Sequence, residues 1–180
     1  AAACLAAGRS ADSVQLLAVA KTWPAAAVRE AAAAGQRAFG ENYVQEGVAK
    51  ATELAALDLE WHFIGPLQSN KTRAVAEHFA WVQSVDRLKV AERLAAQRPA
   101  HLPPLQVCLQ VNVSGEASKS GCAPPLALDL AGAIAELPRL CLRGLMAIPE
   151  PTADRQRQRQ QFVVLRTAQE AINRELDLAL

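Results

Sequence analysis

The sequence predicts an α/β chain assembled from parallel βα units, and three observations carry that expectation. Short β-like runs alternate with Ala- and Leu-rich helical stretches along the 180 residues. The links between them are short, as repeated strand–helix–strand crossovers in one sheet require. Helix boundaries also carry the expected punctuation: Pro24 and Pro125 stand near helix starts, and Gly35 stands just past a helix end.

Taken in order, the amino end "AAACLAAGRS" reads as the tail of a helix with Gly8 as its stop. It has no basic region and no long apolar region, so it is not a signal peptide. The absence of a starting methionine points to residues before Ala1. The β-like runs are "VQLLAVA" (14–20), "RAFGEN" (37–42), "EWHFIG" (60–65), "WVQSVD" (81–86), "LQVCLQVNV" (105–113) and "CLRGLMAI" (141–148). Leu16 to Ala20 carry no polar position and read as buried on both faces, and Pro24, lacking a ladder N–H, follows the strand's end. Helices are expected at about 24–34, 43–57, 69–79, 87–97, 125–136 and 154–175.

Two architectures share this pattern: an open doubly wound sheet and a (β/α)8 barrel. A dinucleotide-binding sheet carries G-x-G-x-x-G directly after a strand, and neither that motif nor a P-loop occurs here. A barrel needs eight units in roughly 200 to 250 residues. Six are present, and "LDLAL" (176–180) falls where a seventh strand would begin. The expectation is one domain over residues 1–180 with its carboxyl end incomplete.

Composition narrows the function classes. Apolar residues make up 51% and the formal net charge is +1, so no overall field draws the chain to nucleic acid or anionic membranes. No stretch approaches the roughly 18 consecutive apolar residues of a spanning helix. Cys4, Cys108, Cys122 and Cys141 form no C-x-x-C pair, and two lie in β-like runs; buried free thiols in a reducing, cytoplasmic compartment are expected. His62, His78 and His101 have no ligand spacing to one another or to a cysteine, so no metal site is expected. "NVS" (112–114) matches a glycosylation acceptor but has no secretion signal to give it meaning. The basic run "DRQRQRQQ" (154–161) lacks interleaved aromatics for base stacking and reads as the solvated start of the last helix.

In βα barrels, chemistry gathers at the carboxyl ends of strands. Those ends offer Lys21, then Glu41 and Asn42, Gly65 and Pro66, Ser84 and Asp86, Asn112 and Ser114, and finally Met146 and Pro149. Of these, Lys21 alone carries an amine that can condense with an aldehyde. A lysine titrates freely near 10.4, and burial in an apolar mouth would lower that value and activate it. The plainer reading is a stem covering apolar surface with its ammonium in water. Lys50 and Lys89 read as solvated helix-face residues. Lys71, in the first turn of a helix, and Lys119, in a loop, could each meet a phosphate but also suit an ordinary surface. His62 shares a strand face with Ile64 and reads first as a satisfied core histidine.

The string "HFIGPLQSNK" (62–71), preceded by Trp61, is long and specific. Together with "AVAKTWP" (18–24), "FGENYVQEG" (39–47), "SKSG" (118–121) and "LRGLMAIP" (142–149), it closely resembles the pyridoxal phosphate homeostasis protein family from about Leu16 to Pro149. The resemblance implies the TIM barrel of the alanine racemase amino-terminal domain, without that enzyme's second domain. It implies pyridoxal 5'-phosphate as cofactor, held as a Schiff base on Lys21, with Asn42 and Met146 beside the ring and Ser84 and Lys71 at the mouth. It further implies a monomer in vitamin B6 cofactor homeostasis, without catalysis, with apo forms of pyridoxal phosphate enzymes as partners. The alternative is an amino acid racemase or lyase, but the relatives' proton-handling tyrosine comes from a second domain, and the one tyrosine here is Tyr43. Family members continue into a seventh strand with a Ser-Met-Gly-Met-Ser-like motif and an eighth with an Arg-Ile-Gly-like motif. Neither occurs here, so the phosphate-binding residues are expected beyond Leu180.

Overall fold

A computed structural model describes residues 2–116 and 119–180. After a short helix α1 (Ala2–Ala6), six strands and six helices alternate: β1 (Ala18–Val19), α2 (Ala25–Ala33), β2 (Ala38–Glu41), α3 (Val44–Glu53), β3 (Glu60–Phe63), α4 (Thr72–His78), β4 (Trp81–Val85), α5 (Leu88–Gln97), β5 (Leu105–Gln110), α6 (Ala127–Ala135), β6 (Leu140–Met146) and α7 (Arg155–Leu176). All neighbouring strands are parallel, and their order in the sheet is their order in the chain. Sequential parallel order with one helix per crossover is the winding of a (β/α)8 barrel, here a partial one; a doubly wound sheet would reverse direction midway.

Alternation along the strands sorts the side chains. Phe39, Trp61 and Phe63 point to the helix layer, where Phe39 and Trp61 rings lie 5.8 Å apart and Phe63 meets Phe79 edge-on at 5.6 Å. Phe63 and Phe79 are essentially fully buried, and each contributes on the order of 2 kcal/mol by leaving water. α5 buries Val90, Ala91, Leu94 and Ala95 along one stripe at helical spacing. Arg98, just past α5, is buried and donates to the carbonyls of Ala76 and Phe79 at 2.6 and 2.8 Å, which otherwise lack partners at the end of α4. α7 opens on Asp154, whose carboxylate accepts from the N–H groups of Gln156 and Arg157.

The other face of the sheet is more polar. His62 stacks on Trp81 with centroids 5.2 Å apart. Its Nδ1 accepts from Gln83 and its Nε2 donates to Glu60. It is the satisfied core histidine of the plainer reading, and burial pushes its pKa down while Glu60 opposes. Of the four free cysteines, Cys108 lies half-buried on β5, where burial pushes its thiol up to about 11 against a smaller pull from Arg143.

Two expectations are corrected. The first strand is shorter than 14–20, and Leu16 and Val19 are 75% and 47% exposed. Among the described residues β1 pairs with β2 alone, and a run of apolar letters does not by itself tell how far a strand is covered. Lys50 is not on a solvated helix face. It is buried on α3 beside Val44 and Gly47 and pairs with Glu41.

Two measurements test this packing. A Cβ at Gly47 would stand 2.5 Å from the Phe79 ring and 3.1 Å from Glu41 Cβ, so Gly47→Ala should destabilise by about 1–3 kcal/mol in urea unfolding despite the better helix former. Because the folded-state pKa of His62 lies below 6.5, the unfolded chain takes up its proton more readily. Its contribution to stability is present above pH 6.5 and is lost as pH falls through the lower folded value. Unfolding midpoints should therefore fall on acidification more steeply for wild type than for His62→Gln; equal slopes would place the acid sensitivity elsewhere.

Candidate active site

Parallel winding brings the six strand ends to one rim. Lys21 follows β1 by two residues and Asn42 follows β2 by one. These strands are neighbours, with Val19 opposite Gly40 and the Ala20 N–H donating to the Gly40 carbonyl at 2.9 Å, so Lys21 and Asn42 leave the rim side by side. Met146 ends β6, the sixth strand in the sheet order, opposite Gln110. Its side chain is half-buried and its carbonyl accepts from Val111 N–H at 2.9 Å.

Lys21 is exposed among the described residues. Among the described residues its amine has neither a hydrogen-bond nor an ion-pair partner. The turn that carries it is held firmly. The Ala20 carbonyl accepts from Trp23 N–H at 3.1 Å and from Lys50 Nζ at 2.8 Å, and Thr22 adopts a left-handed backbone with φ 65°. A β-branched residue is strained there, and such strain persists only where surrounding contacts fix it.

Asn42 is half-buried, and its Oδ1 is fully enclosed without a hydrogen-bond partner. Gly65 explains its position. A Cβ at Gly65 would stand 2.6 Å from Asn42 Cβ and 2.7 Å from its Cα, so only glycine lets the loop after β3 lie against the end of β2. Ser84 secures that loop by donating to the Gly65 carbonyl at 2.6 Å. Ser84 is therefore committed to the backbone rather than free at the mouth. Beside Asn42 lies a cleft of about 340 Å³, lined by Tyr43, Phe63, Pro66, Gln68 and Lys71 as well. Lys119 sits in the loop after β5, where Asn112 organises the turn by accepting from Gly115 N–H at 3.0 Å. Ser118 of the "SKSG" string lies outside the described residues.

The buried pair beneath this rim was not foreseen. Lys50 Nζ donates to Glu41 Oε1 at 2.6 Å, with side chains only 10% and 0% exposed, and Glu41 Oε2 has no partner. Burial pushes the Glu41 carboxyl up from its ordinary value, and the hydrogen bond from Lys50 opposes that shift. Helical spacing held the signal: Val44, Gly47 and Lys50 recur every three residues on one stripe, so Lys50 falls on the apolar face.

A flat aldehyde with polar edges fits what the rim offers. An exposed amine follows β1 and a buried amide oxygen without a partner follows β2, the neighbouring strand, above a backbone held in one place.

Comparison with known proteins identifies the family and the fold. Residues 5–179 match the family described as alanine racemase, N-terminal domain. The pyridoxal phosphate homeostasis protein of Pseudomonas aeruginosa is 66% identical over 175 residues, covering 97% of this chain and 76% of that protein. The protein of the same name from Escherichia coli K12 is 61% identical over 154 residues, covering 84% of this chain and 66% of the relative. PipY of Synechococcus elongatus, in a structure with PLP bound, superposes with a TM-score of 0.82 at 40% identity, covering 97% of this chain and 82% of PipY. Alanine racemase of Clostridium difficile shares the fold at a TM-score of 0.78 and 10% identity. The chain belongs to the pyridoxal phosphate homeostasis protein family, built on the alanine racemase N-terminal domain.

Proposed function

We propose that this protein binds pyridoxal 5'-phosphate, with Lys21 as the residue of covalent attachment and Asn42 and Met146 as neighbours of the ring, and that it serves vitamin B6 cofactor homeostasis. The observation that carries this reading is the pairing of an unpartnered amine at the end of β1 with an unpartnered amide oxygen at the end of β2, in a chain whose relatives are named for pyridoxal phosphate homeostasis. The cofactor supplies an aldehyde carbon that is electrophilic toward an unprotonated amine. The chain supplies the amine and a fixed turn beneath it, with Asn42 at the neighbouring strand end. PipY with PLP bound supports the same assignment by likeness.

Our reading is of a binding protein rather than an enzyme. Turnover of an amino acid needs a group placed to take a proton and a site closed to water. Tyr43, the one tyrosine of the sequence, is 53% exposed at the start of α3. We read residues 1–180 as one cofactor-binding domain acting as a monomer in the cytoplasm, with apo forms of pyridoxal phosphate enzymes as recipients. No helix among the described residues is long and apolar enough to cross a membrane.

Mixing the protein with pyridoxal phosphate should give an absorption band near ~420 nm, the estimate for a protonated lysine linkage. Borohydride should fix the label on the peptide that contains Lys21, and Lys21→Ala should abolish both signals. A label on Lys71 or Lys119 in wild type would move the attachment point, and no label on any lysine would overturn the reading.

A further inference from the structure

The turn that bears Lys21 is anchored from α3 on both sides. Before it, Lys50 reaches from the helix to the Ala20 carbonyl at 2.8 Å while paired with Glu41 at 2.6 Å. After it, Thr22 N–H donates to Glu46 Oε2 at 3.4 Å. Thr22 itself is held at φ 65°, and β1 beneath it spans only two residues. A strand this short does not by itself fix the direction in which the next side chain leaves.

Stability alone gives little reason for such a pair. Burying an ammonium and a carboxylate strips both of water, and apolar residues of similar size commonly hold a fold as well or better. Glu41 also retains an enclosed oxygen with no partner, the unfavourable half of the arrangement. The one contact the pair makes that an apolar substitute could not make is the bond to the Ala20 carbonyl, one residue before Lys21.

We propose that Lys50, held by Glu41 and assisted by Glu46, is a positioning residue for the Lys21 amine. This rests on the reading of Lys21 as the attachment point. Lys50 fixes the peptide before Lys21, Glu46 steadies the peptide after it, and the amine is presented to an incoming aldehyde in one orientation. The same bonds keep the Lys50 amine occupied, so the two lysines separate into one that reacts and one that aims.

The test is a cycle of variants on the whole protein. Lys50→Met combined with Glu41→Leu removes both charges together and leaves no orphan, since Ala20 keeps its bond from Trp23. The rate at which pyridoxal phosphate becomes borohydride-fixable on Lys21 should fall about tenfold or more, because small misplacements of a reacting group are costly. The unfolding midpoint should hold or rise. In a Lys21→Ala background, non-covalent retention of pyridoxal phosphate by equilibrium dialysis should change less than about twofold on adding the pair substitution, since the residue acted upon is gone. Glu46→Ala, a surface change on α3 that leaves the core untouched, should slow attachment by about twofold to threefold and serves alone where the paired variant fails to fold. Unchanged attachment rates overturn the proposal, as do equal losses with and without Lys21, which would mark a general effect on the fold. A wild-type chain that takes no label on Lys21 overturns the parent reading, and is seen before any of these variants is made.

Discussion

Parallel pairing is the constraint from which the rest follows. A parallel neighbour cannot be reached by a tight turn, so each strand is followed by a helix that returns the chain to the starting end of the sheet. Six repetitions cover one face of the sheet with helices and deliver six strand ends to one rim. That geometry alone puts Lys21, Asn42, Gly65, Ser84, Asn112 and Met146 at the same level, although they span most of the chain. The helix-facing side can then be filled with Phe39, Trp61, Phe63, Val82, Val107 and Leu109, all nearly free of solvent. The other side carries the polar set of Glu60, His62 and Gln83, whose hydrogen bonds are satisfied among themselves.

The rim is rigid for reasons that lie below it. Gly65 allows the loop after β3 to press on Asn42, and Ser84 locks that loop from β4. Gln36 plays a similar part for β1, donating both to the Leu16 carbonyl at 2.9 Å and to the Ala38 carbonyl at 2.7 Å, which ties the approach of that strand to its neighbour. Buried polar groups in this chain mostly serve backbone carbonyls rather than each other. Arg98, Lys50 and Ser84 all follow that pattern, each meeting a carbonyl near where a regular element stops.

Much of this was legible in the sequence, because the signals were local. Strand runs bounded by Pro, Gly and polar residues placed β2 to β6 within a few positions, and the alternation of strands and helices fixed the fold class. Lys21 stood out as the one amine at a strand end, whereas Asn42 and Met146 were singled out by the family resemblance. What stayed hidden was set by tertiary position. A run of apolar letters does not show what covers it, so the exposure of Leu16 and Val19 did not show. Lys50 looked like any helix lysine until Glu41, nine residues earlier and with its side chain pointing the same way, supplied its partner. The left-handed turn at Thr22 carries no glycine or asparagine to announce it.

The thiol of Cys108 bears on how selectively the protein can meet a carbonyl compound. The thiolate is the nucleophilic form of cysteine, and burial that pushes the Cys108 thiol up to about 11 keeps that form scarce at neutral pH. Burial on β5 thus quiets a sulfur that, exposed, would be a reactive group on the same sheet.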